Sequence, residues 1–313
     1  MNAIQITEYG DSRKAEINHS LPDPVPKKGQ ILIEVHDASI NPFDIKLRSG
    51  MYESSISMKF PYVPGSDFSG VVIGVAEDVD EFEEEDEVFG SASVLNGGSG
   101  SFAEFCVANT QNTALKPESQ DHYYAASLPL VGCSAVQALE GHIKLQNGQK
   151  ILIHGAAGGI GSIAMQIAKH IGAYIAVTVS TEDIEFAKDL GANQVINYKD
   201  QDFTEHIKDF DAVLDTVGGD TTNKSFRIIK KGGILVSMLG EPDQKLAEKH
   251  GIKAIGQSTK TDTIHLSRLA SLVDEGTVKP QVEKIFPMDE IRQAFDYFED
   301  DSPRGKVVLK IKK

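Results

Sequence analysis

The stretch "HGAAGGIGS", residues 154–162, decides how the second half of this chain folds. It places Gly155, Gly158 and Gly161 three residues apart, after the apolar run "KILIHG" and before "IGSIAMQIAKHIG". Glycines in this setting allow a tight turn after a strand, a close approach of a ligand to the backbone and close packing of helix on strand. The start of a helix also presents unpaired amides and a partial positive charge to phosphate groups. The pattern therefore predicts a strand, a dinucleotide-binding turn and a helix.

The residues after the glycines are predicted to form a helix over 158–172. Apolar side chains recur there at the spacing of one buried helix face: Ile160, Ile163, Ala164, Ile167, Ala168 and Ile171. Four further segments read as strands or helices in alternation, namely "AYIAVTVS" (173–180), 182–190, "NQVINY" (193–198) and "DAVLDTV" (211–217). A helix "TTNKSFRIIKKG" (221–232) and a strand "GGILVSML" (232–239) follow. Such alternation predicts a doubly wound α/β domain with a parallel sheet.

The cofactor-binding residues are predicted from the turn and from the ends of the following strands. They are Gly155, Gly158, Gly159, Ile160, Gly161, Ser180, Tyr198 and Leu239. The second strand ends "TVST" (178–181) without the acid that NAD sites place there for the ribose hydroxyls. Ser180 and Tyr198 are instead able to donate to a phosphate oxygen, which favours NADPH. Glu182 follows and no Lys or Arg adjoins Ser180, so NADH remains open, as does a role for Ser180 in capping the next helix.

The first 120 residues are predicted to be rich in short strands, in a barrel-like or sandwich-like domain. "QILIEVHDASI" (30–40) alternates apolar and polar residues, and "PYVPGSDFSGVVIGVAEDVDEF" (61–82) reads as a Pro/Gly turn followed by a strand pair. "HYYAASLPLVGCSAVQALEG" (122–141) is predicted to be a helix.

Composition narrows the possible partners. The 313 residues carry 31 basic and 46 acidic side chains, a net charge of −15, which argues against nucleic acid and anionic membranes. Cys106 and Cys133, without a CxxC motif, are expected to be buried packing residues in a reducing compartment. The polar start lacks a signal-peptide pattern, and no run of 18 apolar residues occurs, so a cytoplasmic protein is expected.

Several blocks along the chain carry a family resemblance. They are "NPFDIKLRSGMY" (41–52), "PYVPGSDFSGVV" (61–72), "LPLVGCSAVQAL" (128–139), "HGAAGGIGS", "DAVLDTVGG" (211–219) and "RGKVVL" (304–309). With them the chain resembles the zinc-free quinone oxidoreductases of the medium-chain dehydrogenase/reductase superfamily, similar to zeta-crystallin. The resemblance implies a GroES-like catalytic domain over 1–122, a Rossmann NADP-binding domain over 123–262 and a return to the first domain over 263–313. It also implies a homodimer, with an edge strand expected near "GGILVSM" (232–238).

The positions that carry zinc ligands in the superfamily's alcohol dehydrogenases are occupied here by Asn41 of "NPFD" and by the Ser66-Asp67 pair of "GSDFSG". These are poor zinc ligands beside thiolate and imidazole, so no metal is expected. Without a Lewis acid, hydride transfer is expected to go to acceptors that are already electrophilic, namely quinones and α,β-unsaturated carbonyls. The Asn41 amide and the Tyr52 hydroxyl are the predicted catalytic hydrogen-bond donors.

Further expectations concern this first domain and the alternative functions. Tyr62 is an additional donor candidate, and Asp44 is expected to pair with Arg48. An enoyl-thioester reductase would need a basic groove for the coenzyme A phosphate. A nicotinamide-binding regulatory or RNA-binding protein would need a basic stripe, for which "KSFRIIKK" (224–231) and the terminal "KIKK" are the available clusters. The acidic balance disfavours both alternatives, and the segments 51–60 and 240–262 are read as loops that do not name the substrate.

Overall fold

The computed structural model describes residues 1–301 and 303–312. The chain forms two compact units. The first comprises Met1–Leu130, Thr261–Asp274 and Pro280–Lys313, and the second comprises Val131–Lys260 and Glu275–Lys279.

The strands in the described residues are numbered in chain order. They are β1 (Ala3–Ile6), β2 (Ala15–Asn18), β3 (Gln30–Ser39), β4 (Asp67–Val75), β5 (Glu87–Ser91), β6 (Phe105–Asn109), β7 (Thr113–Leu115), β8 (Lys150–His154), β9 (Tyr174–Val179), β10 (Gln194–Asn197), β11 (Phe210–Asp215), β12 (Ile229–Ser237), β13 (Lys253–Gly256), β14 (Val282–Pro287) and β15 (Lys306–Lys310).

The α-helices are numbered in the same way. They are α1 (Pro42–Arg48), α2 (His122–Ala126), α3 (Pro129–Val136), α4 (Gly159–Ile171), α5 (Ile184–Asp189), α6 (Phe203–His206), α7 (Asp220–Ser225), α8 (Gln244–His250), α9 (Thr263–Asp274) and α10 (Ile291–Asp300). A π-helical segment, Gln137–Ile143, continues directly from α3. None of the described helices combines the length and the apolar composition that crossing a bilayer requires.

The first unit is built on a largely antiparallel sheet. Its strands lie in the order β14-β15-β3-β4-β5-β7, and β6 pairs with β3. Only the β14–β15 pair among these is parallel. The long strand β3 follows the predicted alternation, with Ile31, Ile33 and Val35 buried in the core. Cys106 on β6 is buried as a free thiol, as is Cys133 in α3.

The second unit is a six-stranded parallel sheet in the order β10-β9-β8-β11-β12-β13. The chain builds outward from β8 in one direction and then from β11 in the other. At such a reversal the loops at the carboxyl ends of the two central strands separate and leave a crevice, which is where ligands bind in open α/β sheets. The glycine turn follows β8, so it lies at this crevice. The predicted α/β class, a β-rich domain with a doubly wound parallel sheet, is confirmed.

The helix predicted over 158–172 is α4, and four of the six residues of its predicted apolar face are buried, whereas Ile160 and Ile171 at its two ends are half-buried. Ile163, Ala164, Ile167 and Ala168 are at most 2% exposed. Burial of this apolar stripe against the sheet stabilises the helix that follows the glycine turn.

The two units divide the chain at residues that differ from the predicted boundaries. Helix α2, placed by prediction in the Rossmann domain of 123–262, belongs to the first unit. It packs on β3 and β4 and buries Ala125 and Ala126. The short segment Glu275–Lys279 belongs to the second unit, where the Lys279 amide donates to Gln166 Oε1 at 2.9 Å.

Three predicted elements differ from the structure. The helix predicted over 221–232 ends at Ser225, because the β-branched Ile228 and Ile229 are buried as the chain enters β12. The strand pair predicted within 61–82 is the single strand β4, whose partner β5 follows an acidic turn. The helix predicted over 122–141 is broken before Pro129, whose ring starts a new helix and cannot continue the previous one.

The expected edge strand is also placed differently. Residues 232–238 lie in or next to β12, which is hydrogen-bonded to β11 on one side and to β13 on the other. The edge on this side of the sheet is therefore β13. The segment 240–262, read from the sequence as a loop, contains both α8 and β13.

Candidate active site

Asn41 lies immediately before α1, in a buried polar network of the first unit. Its Oδ1 accepts a hydrogen bond from Lys306 Nζ, which also donates to the Ile40 carbonyl at 2.6 Å. An ammonium group only donates, so this contact fixes the amide with Nδ2 directed toward Asp67. Nδ2 donates to Asp67 Oδ2 at 2.9 Å, and Lys306 Nζ lies 3.9 Å from the same oxygen. Asn41 and Asp67 are 0% exposed, so the amide is engaged inside the protein.

This donor set does not fit zinc. Zinc sites in proteins use thiolate, imidazole and carboxylate ligands, whereas Asn41 offers an amide, Ser66 a hydroxyl and Lys306 a positive charge. Among the residues that the structure describes, no group of three or more His, Cys, Asp and Glu side chains is arranged to hold a metal ion. The only carboxylate at the two ligand positions, that of Asp67, is hydrogen-bonded to the amide and faces the ammonium group.

Burial governs the electrostatics of this network. It raises the pKa of Asp44 to about 7. The hydrogen bond that Asp44 accepts from the backbone N–H of Asn41, at 2.8 Å, opposes this rise. Burial also raises the pKa of Asp67 and lowers the pKa of Lys306, and the attraction between these two groups opposes both shifts. A buried pair of this kind depends on both members, because removing one leaves the other charge uncompensated.

Tyr52 lies in the turn after α1, and its side chain is half-buried. Its ring centroid is 5.6 Å from that of Phe43, at the start of α1. This contact brings the Tyr52 ring toward the helix end where Asn41 lies, although the two residues are eleven positions apart. Tyr62 is more deeply buried, and burial raises the pKa of its hydroxyl well above the usual range. The side chains of Tyr62, Phe43, Leu47 and Val94 are among those that line a narrow pocket.

The predicted Asp44–Arg48 ion pair is wrong. Arg48 Nη2 instead contacts Glu299 Oε2 at 2.7 Å, and its guanidinium lies 4.6 Å from the centre of the Phe295 ring. Asp44 is occupied at the other end of α1, where it accepts the Asn41 amide N–H. Arg48 therefore attaches α1 to α10 rather than closing a loop within the motif.

In the second unit, the glycine turn forms an open cradle at the start of α4. Gly155 adopts φ +66°, and a Cβ there would lie 2.4 Å from Thr216 Oγ1, so both the turn and the neighbouring loop require glycine. A Cβ on Gly158 would meet only the Gly155 oxygen, at 3.5 Å, which leaves the surface of the turn open. Gly159 and the half-buried Ile160 begin the helix, which has no acidic residue in its first turn. These features fit the binding of a dinucleotide pyrophosphate.

The tips of β9 and β10 carry the other predicted phosphate donors. Ser180 Oγ donates to Asp183 Oδ2 at 2.7 Å, so its hydroxyl contacts a helix side chain instead of accepting from a helix amide. Tyr198 is 59% exposed beside it on the next strand tip. Lys199, which sequence reasoning missed, contacts Glu182 at 3.3 Å and brings a cation to this corner. The sequence near Ser180 does not indicate Lys199. Only the parallel pairing of β9 and β10 brings the two strand ends, and so these two residues, together.

Leu239 follows β12 at the same edge of the sheet and is 48% exposed. It packs over Gly218, where a Cβ would lie 2.9 Å from Leu239 Cβ. Val217 is also exposed in the loop after β11. Exposed apolar side chains at the crevice suit an aromatic ring of a ligand.

Two buried side chains that sequence reasoning missed hold this edge of the sheet. Asp215 accepts hydrogen bonds from the amides of Val217 and Gly218, at 2.9 and 3.0 Å. His154, the last residue of β8, lies 2.9 Å from Thr178 Oγ1 and 3.0 Å from Ser225 Oγ. A buried histidine immediately before the first glycine was the available signal.

The hydrogen bonds assign the protonation of His154. Ser225 Oγ donates its proton to the Thr221 carbonyl, so it accepts from His154 Nε2–H. Nδ1 is then the acceptor for Thr178. Burial lowers the pKa of His154 to about 4, against the weaker opposite influence of Asp215, which agrees with a neutral ring.

A mainly antiparallel β unit joined to a doubly wound dinucleotide-binding unit defines the medium-chain dehydrogenase/reductase class. Residues 27–118 match the model of the alcohol dehydrogenase GroES-like domain, and residues 190–309 match that of zinc-binding dehydrogenases. The chain is similar to 2-methylene-furan-3-one reductase of Solanum lycopersicum, with 35% identity over 99% of this chain and 79% of the relative. It is 33% identical to the NADPH-dependent alkenal/one oxidoreductase of Arabidopsis thaliana, over 99% and 79% of the two chains.

A solved structure, the quinone oxidoreductase of Coxiella burnetii, matches with a TM-score of 0.90 and 33% identity, covering 100% of this chain and 99% of the other. The chain belongs to the zinc-free quinone oxidoreductase family of the medium-chain dehydrogenases/reductases. The resemblance stated from the sequence motifs is thereby confirmed.

Proposed function

We propose that this chain is an NADPH-dependent oxidoreductase that reduces quinones or α,β-unsaturated carbonyls without zinc. The observation that carries the proposal is the Asn41–Asp67–Lys306 network: at the positions of the superfamily's zinc ligands, Asn41 is hydrogen-bonded to Asp67, and the Lys306 ammonium group contacts both. Relatives named as an alkenal/one oxidoreductase and a quinone oxidoreductase support the same reaction class.

The residues proposed to hold the cofactor belong to the second unit. The backbone of Gly155, Gly158, Gly159, Ile160 and Gly161 is proposed to hold the pyrophosphate at the start of α4. Ser180, Tyr198 and Lys199 are proposed to hold the 2′-phosphate, and Leu239 to contact the nicotinamide end. Reduced nicotinamide supplies a hydride ion when bound.

The acceptor must accommodate the negative charge that hydride transfer brings. In an α,β-unsaturated carbonyl, hydride adds at the β-carbon, the electron pair moves to the carbonyl oxygen and a proton reaches the α-carbon. A hydrogen bond to that oxygen stabilises the developing charge. Tyr52 is the proposed donor, since its side chain is half-exposed. Asn41 is proposed to support the site from its buried position, because its amide is engaged with Asp67 and Lys306.

Purified protein provides the test. With NADPH it is expected to reduce 1,4-benzoquinone and simple enones, to work less well with NADH, and to oxidise primary alcohols with NADP⁺ at no measurable rate. Incubation with EDTA is expected to leave the rates unchanged. Tyr52→Phe is expected to lower kcat on enones more than on quinones, because quinones delocalise charge without help. Absence of all reductase activity, or zinc-restored activity after chelation, contradicts the proposal.

We also propose a cytoplasmic homodimer. The supporting feature is the short strand β13, which forms an edge of the parallel sheet and offers unpaired backbone groups to a second copy. Light scattering coupled to size exclusion measures the mass, and a value near the 33.9 kDa of a single chain contradicts the dimer. Fractionation of the source cells tests the compartment.

A further inference from the structure

A cavity in the second unit lies away from the cofactor cradle. Its volume is about 370 Å³, within the range of small-molecule sites. It is formed by α7, α8 and the residues just after α7, and it is lined by Asp220, Asn223, Lys224, Arg227, Leu246, Lys249 and His250. We call it the α7/α8 groove. It includes Lys224 and Arg227, from the first part of the basic cluster "KSFRIIKK" (224–231).

The charge of the groove is opposite to that of the whole chain. Three permanent cations and one histidine face a single carboxylate, Asp220, in a chain of net charge −15. Lys224 pairs with Asp202 at 2.7 Å, outside the lining. The side chains of Arg227 and Lys249 are exposed and have no ion-pair partner among residues 1–301 and 303–312. Two uncompensated cations therefore share one concave surface.

One lining residue, Asp220, lies near the crevice end of the sheet. Helix α7 begins at Asp220, directly after the loop 216–219 that follows β11. Six helical residues span about 9 Å, so Arg227, which follows α7, is separated from that loop by about the length of this helix. Leu246 and the His250 ring add an apolar surface beside the charges.

We propose that the α7/α8 groove binds small phosphate esters that carry several negative charges. Arginine and lysine are the side chains that recognise phosphate oxygens, and the cavity matches a nucleotide-sized ligand better than a lone ion. The ester is either a free nucleotide or the phosphate end of the acceptor, in which case the acceptor is an enoyl thioester of coenzyme A. Binding of an enoyl thioester as the acceptor rests on the proposed reductase function, whereas binding of a free nucleotide does not.

Binding is measured by isothermal titration calorimetry with adenosine 3′,5′-bisphosphate, at low salt and with the cofactor cradle saturated by NADPH. One equivalent is expected to bind to the wild type. Arg227→Gln with Lys249→Gln is expected to weaken binding about 100-fold, or about tenfold for each charge-assisted contact. Lys188→Gln, at an exposed lysine of α5, is the matched control and is expected to bind like the wild type. Equal melting temperatures show that the variants fold.

Kinetics with two thioesters distinguish the sources. Reduction of an enoyl-CoA is compared with that of the same acyl group on N-acetylcysteamine, which lacks phosphate. If the acceptor carries the ester, the double variant lowers kcat/KM for enoyl-CoA alone. If the ester is a free nucleotide, the double variant changes kcat/KM for both thioesters by the same factor, and only the wild type binds the bisphosphate tightly.

Two kinds of result overturn the proposal. One is the absence of saturable bisphosphate binding to the wild type, or equal binding by the double variant. The other is binding of an RNA oligonucleotide where the bisphosphate fails, which would assign the groove to a polymer. Absence of enone reduction by the wild type, with its bisphosphate binding intact, would count against the proposed reductase function and leave the groove proposal standing.

Discussion

Replacing Gly161 by alanine tests the packing of the cofactor turn. A Cβ at this position would lie 2.5 Å from both the Ala156 Cα and the Gly155 oxygen, well inside the 3.5–4.0 Å of an ordinary carbon contact. All of the nearest atoms belong to the backbone, so the start of α4 must move away from the turn. Overpacking of this kind costs about 1–3 kcal/mol, while alanine regains up to about 1 kcal/mol of helix propensity.

A net loss of about 1–2 kcal/mol is expected for Gly161→Ala, equivalent to a fall in Tm of about 2–8 °C. Gly158→Ala is the matched control, because its backbone is extended (φ −74°) and its Cβ would meet only one atom at 3.5 Å. The control is expected to keep wild-type stability and to lose NADPH affinity. Far-UV circular dichroism follows urea unfolding, since the chain has no tryptophan.

Unfolding of Gly161→Ala at the wild-type urea concentration, or an equal loss of stability in both variants, would contradict this expectation. Either result would mean that the turn adapts to a methyl group without moving the helix.

Other expectations concern protonation, charge and cofactor choice. The pKa of His154 is lowered to about 4 from an unfolded value of about 6.5, so its contribution to stability is complete above pH 6.5 and falls as the pH drops toward 4. The free energy of unfolding is expected to be about 2 kcal/mol lower at pH 5 than at pH 8 from this residue, and His154→Gln should remove that part of the pH dependence in urea titrations. Lys306→Met is expected to cost about 3–5 kcal/mol, and adding Asp67→Asn should recover part of it; an additive loss in the double variant would contradict a shared network. Lys199→Gln is expected to raise KM for NADPH about tenfold without changing KM for NADH, and equal effects on both cofactors would exclude Lys199 from 2′-phosphate binding.

Local patterns in the sequence were sufficient for the second unit's central elements. The period of 3.6 residues along α4 and the glycine spacing before it describe contacts between neighbours in the chain, so a single segment carries the information. The helix expected over 221–232 failed for a related reason. Ile228 and Ile229 suit a helix face or a buried strand equally, and only their place in the sheet core decides between them.

The candidate site could not be predicted in full from local patterns, because it depends on contacts between residues far apart in the chain. Lys306 lies 265 residues after Asn41, and Lys199 reaches Glu182 from the neighbouring strand. The motif "NPFD" identified the position of Asn41, but its buried partners come from β4 and β15. The predicted Asp44–Arg48 pair joined two residues of one motif, whereas Arg48 pairs with Glu299 on α10, far along the chain.

The position of β15 bears on how the chain acquires its structure during synthesis. Residues 131–279 contain the whole second unit, which is therefore synthesised before β15. Domains generally fold as units as they emerge. The first unit is incomplete until β15 has been made. This strand inserts between β14 and β3, and its Lys306 donates a hydrogen bond to Asn41 Oδ1. A nascent chain halted before residue 306 therefore holds a finished nucleotide-binding half beside a sheet with an open edge at β3.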